Sequence, residues 1–110
     1  MENLFVYGTL APGKPNHHVM QDIPGQWQPA TLKGHLHDAG WGAEFGCPGM
    51  VPSEDGEPVA GFVLTSDQLT HHWARLDEYE GDGYQRTTVE VTTDTGEPIE
   101  AQVYALKLPA

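Results

Sequence analysis

Leu4-Phe5-Val6-Tyr7-Gly8-Thr9-Leu10-Ala11-Pro12-Gly13 begins as a strand and breaks into a loop. Phe5, Val6 and Tyr7 are β-branched or aromatic, types that suit a pleated, half-buried surface. Gly8 has no Cβ, so the backbone there can turn sharply and approach a ligand closely. Pro12 and Gly13 complete the exit from the strand. A strand opening into such a loop can aim several consecutive N–H groups at one point, an arrangement that binds anions, carboxylates included. On composition alone the same residues also describe a buried first strand followed by an ordinary turn.

The rest of the chain has the makings of one small domain. Its 110 residues support a single core, and no repeat, linker or low-complexity segment divides residues 1–110. Thirteen glycines and nine prolines favour short strands and many turns over a helix bundle. The formal charge of −11, from 16 acidic against 5 basic residues, is the opposite of what a nucleic-acid binder or an anionic membrane surface needs. No apolar run approaches the roughly 20 residues of a membrane helix, and the N-terminus lacks a signal-peptide pattern. A lone cysteine, Cys47, excludes an internal disulfide, which fits a reducing cytoplasm.

Along the chain, Asn16 can cap a helical turn running to Met20, ended by Pro24-Gly25. Two β-like stretches follow, Gln26 to Ala30 and Thr31 to His37. Asp38 to Pro58 reads as a long loop, with clusters at Cys47-Pro48-Gly49 and Glu54-Asp55-Gly56. Trp41 and Phe45 within it can cover a pocket or anchor the loop to the core. Val59 to Leu64 reads as a strand. Thr65 to Glu80 is the one substantial helix, with Thr65 and Gln68 at capping-box spacing and Gly81 as its stop. Tyr84 to Thr93 and Ile99 to Leu106 are two strands joined by the turn Asp94-Thr95-Gly96-Glu97-Pro98.

The helix carries a carboxylate where an apolar residue belongs. At about 100° per residue, Leu69, Trp73, Leu76 and Glu80 fall within about 60° of one another. Glu78 points the other way and Asp77 lies at the edge of this stripe. Glutamate is rarely buried without a partner. Partial burial and the negative end of the helix dipole both disfavour its charge. Both raise its pKa, which suits a general acid–base near neutral pH. A helix that frays early would instead turn Glu80 to solvent.

Other candidate groups are less organised. His35 and His37 share a strand face, but the adjacent pairs His17-His18 and His71-His72 point apart and no spacing fixes a third ligand, so no metal site is expected. Cys47 has no basic neighbour in sequence to lower its pKa. No phosphate loop, dinucleotide fingerprint or serine elbow is present.

Two stretches, one around Tyr7-Gly8-Thr9-Leu10 and one running Leu76-Asp77-Glu78-Tyr79-Glu80-Gly81, taken together resemble the γ-glutamylcyclotransferase-like family, and most of all its γ-glutamylamine branch. Phe5-Val6-Tyr7-Gly8-Thr9-Leu10 with Gly13-Lys14-Pro15-Asn16-His17 is similar to the family's opening. Leu76-Asp77-Glu78-Tyr79-Glu80-Gly81 with Tyr84-Gln85-Arg86-Thr87 resembles its catalytic segment, Leu-Asp-x-x-Glu followed by Tyr-x-Arg. Cys47-Pro48-Gly49-Met50-Val51-Pro52 and Gln102-Val103-Tyr104 also look familial. Residues 40–46 follow no family pattern, and Cys47 stands where an aromatic is common.

The resemblance implies an α+β fold: a small mixed, mostly antiparallel β-barrel flanked by one main helix and short helical turns. It implies that Tyr7, Gly8, Thr9 and Leu10 hold a substrate's glutamyl group, largely through backbone N–H groups, and that Glu80 is the acid–base. The implied reaction turns an L-γ-glutamyl amine or amide into 5-oxoproline and a free amine. The nucleophile is the substrate's own α-amine, so no cofactor, metal, serine or cysteine is required. The expected partner is thus a small γ-glutamyl molecule, and the oligomeric state is left open. Two other functions fit the residues: a non-catalytic binding module of the same fold, and a hydrolase pairing Glu80 with Asp77 or Glu44.

Overall fold

The computed structural model describes residues 2–7, 20–37, 49–81 and 83–106. Six strands, a 3₁₀ turn and one α-helix follow in the order β1 (Glu2–Val6), β2 (Gln26–His37), β3 (Gly49–Pro52), β4 (Glu57–Ser66), the 3₁₀ turn (Leu69–His71), α1 (Trp73–Glu80), β5 (Tyr84–Thr93) and β6 (Pro98–Leu106).

The strands are ordered β3-β2-β4-β1-β6-β5, and β2 also pairs with β5. That last pairing, Ala30 with Thr93 and Thr31 with Thr92, closes five strands into a barrel, with β3 extending the sheet outside the closure. All pairings are antiparallel except β1 with β6, where Leu4 lies opposite Gln102 and Phe5 opposite Val103. Among the described residues the barrel is therefore mixed and mostly antiparallel, with one helix beside it, as the family resemblance implied.

β1 is central, and both of its faces are covered. Phe5 points into the barrel with Val63, Val91, Val103 and Met50. Leu4 and Val6 point outward and meet Leu64, Tyr104, Leu69 and Leu76 under the helical segment. Alternating side chains on one strand thus feed two cores. This accounts for the unbroken apolar run Leu4-Phe5-Val6, since a strand buried on both sides has no polar face.

At Gly61 the strands come unusually close. A Cβ there would lie 2.3 Å from the Val6 carbonyl oxygen and 2.7 Å from Phe5 Cζ. Only glycine lets β4 pass β1 at this separation.

Several boundaries differ from the sequence reading. The two β-like stretches after Gly25 are one 12-residue strand, because Ala30 and Thr31 pair with β4 on one side and β5 on the other. The stretch read as loop from Asp38 to Pro58 contains β3, and β4 already begins at Glu57. The helix is shorter than Thr65 to Glu80. Thr65 belongs to β4, pairs with Asn3 and Gln26, and donates its hydroxyl to Asn3 Oδ1 at 2.7 Å. Ser66 Oγ accepts the Gln68 N–H at 3.0 Å in the turn that leads to the 3₁₀ segment, and α1 starts only at Trp73, after His72, with no side-chain cap. The helical turn expected from Asn16 lies outside the described residues apart from Met20, whose carbonyl accepts the Ile23 N–H.

Candidate active site

α1 is short, and its sequence places it by one face. Leu76 is fully buried against Leu4, Val6 and Tyr104, and Trp73 and Tyr79 pack at the margin of the same cluster. The apolar stripe therefore lies against the outside of the barrel. Glu80, one turn beyond Leu76, is carried onto the covered side and is partly buried. Burial pushes its pKa from 4.5 up to about 7. Among the described residues no hydrogen bond or ion pair reaches the Glu80 carboxylate. Glu78, on the far side of α1, is exposed.

The helix stops at Gly81, whose N–H still donates to the Asp77 carbonyl at 3.1 Å. Gly81 has φ 81° and ψ −172°, a conformation essentially reserved for glycine. The chain can therefore leave the helix directly after Glu80 and enter β5 at Tyr84.

A set of side chains fixes α1 to the barrel. Tyr104 Oη, on β6, donates to Asp77 Oδ1 at 2.7 Å. Arg86 Nη1, on β5, lies 3.6 Å from the same oxygen, and the guanidinium stacks 4.6 Å from the centroid of the Trp73 ring. Trp73 Nε1 in turn donates to Glu2 Oε2, and Thr70 Oγ1 donates to Glu2 Oε1 at 2.7 Å. Burial above all, and then the hydrogen bond to Asp77, raise the Tyr104 pKa far above the usual tyrosine range. The charge of Glu80 adds to this and to a smaller rise at Tyr79, so the Glu80 carboxylate lies electrostatically close to both phenols. Asp77, Tyr84, Gln85, Arg86 and Tyr104 line an open pocket of about 360 Å³ at this junction.

Tyr7 sits where β1 ends. Its hydroxyl donates to the Tyr104 carbonyl oxygen at 2.9 Å and accepts the Met50 N–H at 3.1 Å. Its ring stacks on Phe5, with centroids 6.3 Å apart. The following candidate residues, Gly8, Thr9 and Leu10, lie outside the described residues, as do His17, His18, Glu44 and Cys47. Among the described residues no three His, Cys, Asp or Glu side chains converge to hold a metal, and no helix is long and apolar enough to cross a membrane.

Of the acid–base and glutamyl-holding candidates named from sequence, the structure thus describes Glu80 and Tyr7. Tyr104 lies between them, bonded to Tyr7 through its main chain and to α1 through its side chain. The roles of Tyr104, Asp77 and Arg86 escaped the sequence reading. Asp77 precedes Glu80 by three residues and so shares its side of the helix, a signal that the apolar stripe overshadowed. Nothing local to Arg86 or Tyr104 announces that strands β5 and β6 will bring them to Asp77.

Comparisons with known proteins identify the family and the fold. The family model described as gamma-glutamyl cyclotransferase, AIG2-like, matches residues 4–109. The putative gamma-glutamylcyclotransferase YkqA of Bacillus subtilis (strain 168) is 36% identical over 93 residues, covering 84% of this chain and 31% of that protein. Gamma-L-glutamyl-butirosin B gamma-glutamyl cyclotransferase of Niallia circulans is 36% identical over 87 residues, covering 78% of this chain and 52% of that one. The chain therefore spans about a third and about half of these two curated relatives. Among solved structures, YkqA superposes with a TM-score of 0.72 at 33% identity, covering 97% of this chain and 36% of that one. An AIG2-like protein from Mus musculus superposes with a TM-score of 0.72 at 29% identity, covering all of this chain and 80% of that one.

Proposed function

The chain belongs to the AIG2-like gamma-glutamyl cyclotransferase family, and from that premise we propose that it converts an L-γ-glutamyl amine or amide to 5-oxoproline and a free amine. The observation that carries this reading is Glu80: a partly buried carboxylate at the end of α1, with its pKa pushed up to about 7, at the position matching the family's acid–base glutamate. The name of the Niallia circulans relative, a gamma-glutamyl cyclotransferase for gamma-L-glutamyl-butirosin B, supports it.

In this reaction the substrate's α-amine nitrogen attacks its own γ-carbonyl carbon. A five-membered lactam closes and the bond to the leaving nitrogen breaks. Glu80 takes one proton from the α-ammonium before attack, and the ring nitrogen gives up a second as the lactam closes; both leave on the departing nitrogen as an ammonium, so no proton is gained or lost overall. A carboxylate of pKa near 7 is suited to both transfers, because it holds and releases a proton with similar ease at neutral pH. Tyr7, Gly8, Thr9 and Leu10 are proposed to hold the glutamyl group, with backbone N–H groups steadying the oxyanion that develops on the γ-carbonyl. Folding the glutamyl chain so that amine meets carbonyl supplies much of the acceleration, roughly 7–11 kcal/mol in well-oriented intramolecular reactions.

The test is 5-oxoproline release from a panel of γ-glutamyl amines, amides and amino acids. At least one is expected to turn over. Binding of a γ-glutamyl ligand by calorimetry without turnover of any member would instead establish a non-catalytic binding module. Gly8→Val is expected to abolish that binding while leaving the circular dichroism spectrum normal. Unchanged affinity would remove the Tyr7–Leu10 segment from the site.

A further inference from the structure

We propose that Tyr104 is a positioning residue that fixes the Glu80 end of α1 relative to Tyr7 at the end of β1, through its hydroxyl on Asp77 and its carbonyl on Tyr7. The inference rests on the reading of Glu80 as the proton carrier. A reaction whose nucleophile and electrophile lie in one folded substrate demands that the carrier and the proposed glutamyl-holding residue Tyr7 keep a fixed separation. Those two parts come from distant segments, the end of α1 and the end of β1. Tyr104 is bonded to both.

Its carbonyl oxygen accepts the Tyr7 hydroxyl at 2.9 Å, and its own hydroxyl donates to Asp77 Oδ1 at 2.7 Å. Asp77 stands three residues, about 4.5 Å of helical rise, before Glu80. Only 4% of Tyr104 is exposed, so its ring cannot swing away from either contact. Arg86 braces Asp77 from β5 while its guanidinium stacks on Trp73, one turn before Asp77. The helix end is therefore held at two points, whereas Glu80 itself has no hydrogen-bond partner among the described residues. The charged and titratable groups around the Tyr104 hydroxyl are Asp77 and Glu80 of α1 and Arg86 of β5.

The two bonds of Tyr104 separate by substitution. Tyr104→Phe removes the hydroxyl but keeps the ring and the carbonyl that receives Tyr7. The Tyr7 contact should stay in place while the helix end loosens. We expect kcat on a turned-over γ-glutamyl substrate to fall roughly 10²-fold, the scale of a 1 Å misplacement, with KM unchanged. Asp77→Ala should reproduce this fall, and the double variant should add little to either. Asp77→Asn, which keeps an acceptor for the phenol, should recover most of the rate.

A kcat loss below about tenfold in Tyr104→Phe, or a loss carried by KM, overturns the proposal. A second readout needs no turnover: the Glu80 carboxyl is titrated by carbon NMR in wild type, Tyr104→Phe and Asp77→Ala. A midpoint that falls from about 7 toward 4.5 in both variants supports positioning, because the loosened carboxylate gains water. An unmoved midpoint overturns it. Failure of the wild type to release 5-oxoproline from any substrate would instead sink the proposed reaction, leaving the titration to decide the role of Tyr104.

Discussion

Glu80 makes a specific demand on pH behaviour. Its folded-state pKa of about 7 exceeds the ordinary 4.5, so between those values the folded chain binds the proton more tightly than the unfolded chain does. The stabilisation this gives is complete below about pH 4.5 and is lost as pH rises through about 7. Thermal melts of Glu80→Gln compared with wild type should therefore show a difference that shifts in the variant's favour from pH 4.5 to pH 7 and then levels. Activity should run the other way. The base form is needed for attack, so kcat/KM should rise with pH to a limb near 7. Glu80→Gln should lower turnover by about 10²–10⁴-fold or more, since one group serves both proton transfers. Retention of more than about a tenth of wild-type rate would exclude Glu80 from the chemistry. No metal is expected to take part, so activity should survive prolonged chelation and dialysis. Loss restored by one divalent ion would contradict that.

At the scale of the helix, α1 is eight residues long and four of them are exposed, so an isolated helix of this length would be marginal and little of its stability comes from propensity. It is held by Leu76 in the outer core, by the bonds of Asp77 and Trp73, and by the Arg75–Asp22 ion pair at 3.0 Å. That ion pair joins exposed side chains and contributes little. Its end is set by Gly81. A Cβ at Gly81 would meet nothing within 4 Å, so Gly81→Ala tests backbone strain alone. It should cost about 1–3 kcal/mol in a denaturant melt, and it should lower kcat as the last turn relaxes and Glu80 shifts. A variant with full stability and full activity would mean that the glycine conformation is not required. The helix boundary itself was misread from sequence for a local reason. Thr65 and Gln68 have the spacing of a capping box, but Thr65 is claimed by strands on both sides.

In the molecule as a whole, barrel closure depends on close passage of strands. Gly61→Ala would drive a methyl group to 2.3 Å from the Val6 carbonyl oxygen, a backbone atom that cannot rotate aside. The expected cost is at least about 1–3 kcal/mol in a denaturant melt, with disturbed near-ultraviolet dichroism as Phe5 is displaced. A wild-type melt would show that β1 and β4 have room to part. The alternation of buried side chains along β1 and the turn residues after Val91 were legible in the chain, because strand period and turn chemistry are local. So was the placement of Glu80 on the covered face of a helix, since helical periodicity needs no knowledge of the partner surface. The strands hidden in the long predicted loop were not legible. Gly49–Pro52 is too short to show a period and becomes a strand only because residues 34–37 of β2 offer it an edge. Nor could the sequence disclose the meeting of Tyr7, Asp77, Arg86 and Tyr104. Residues up to 97 positions apart are joined there by the pairing of β1 with β6 and β6 with β5. Local chemistry determined which residues were suited to a site, and the register of the closed barrel decided which of them meet.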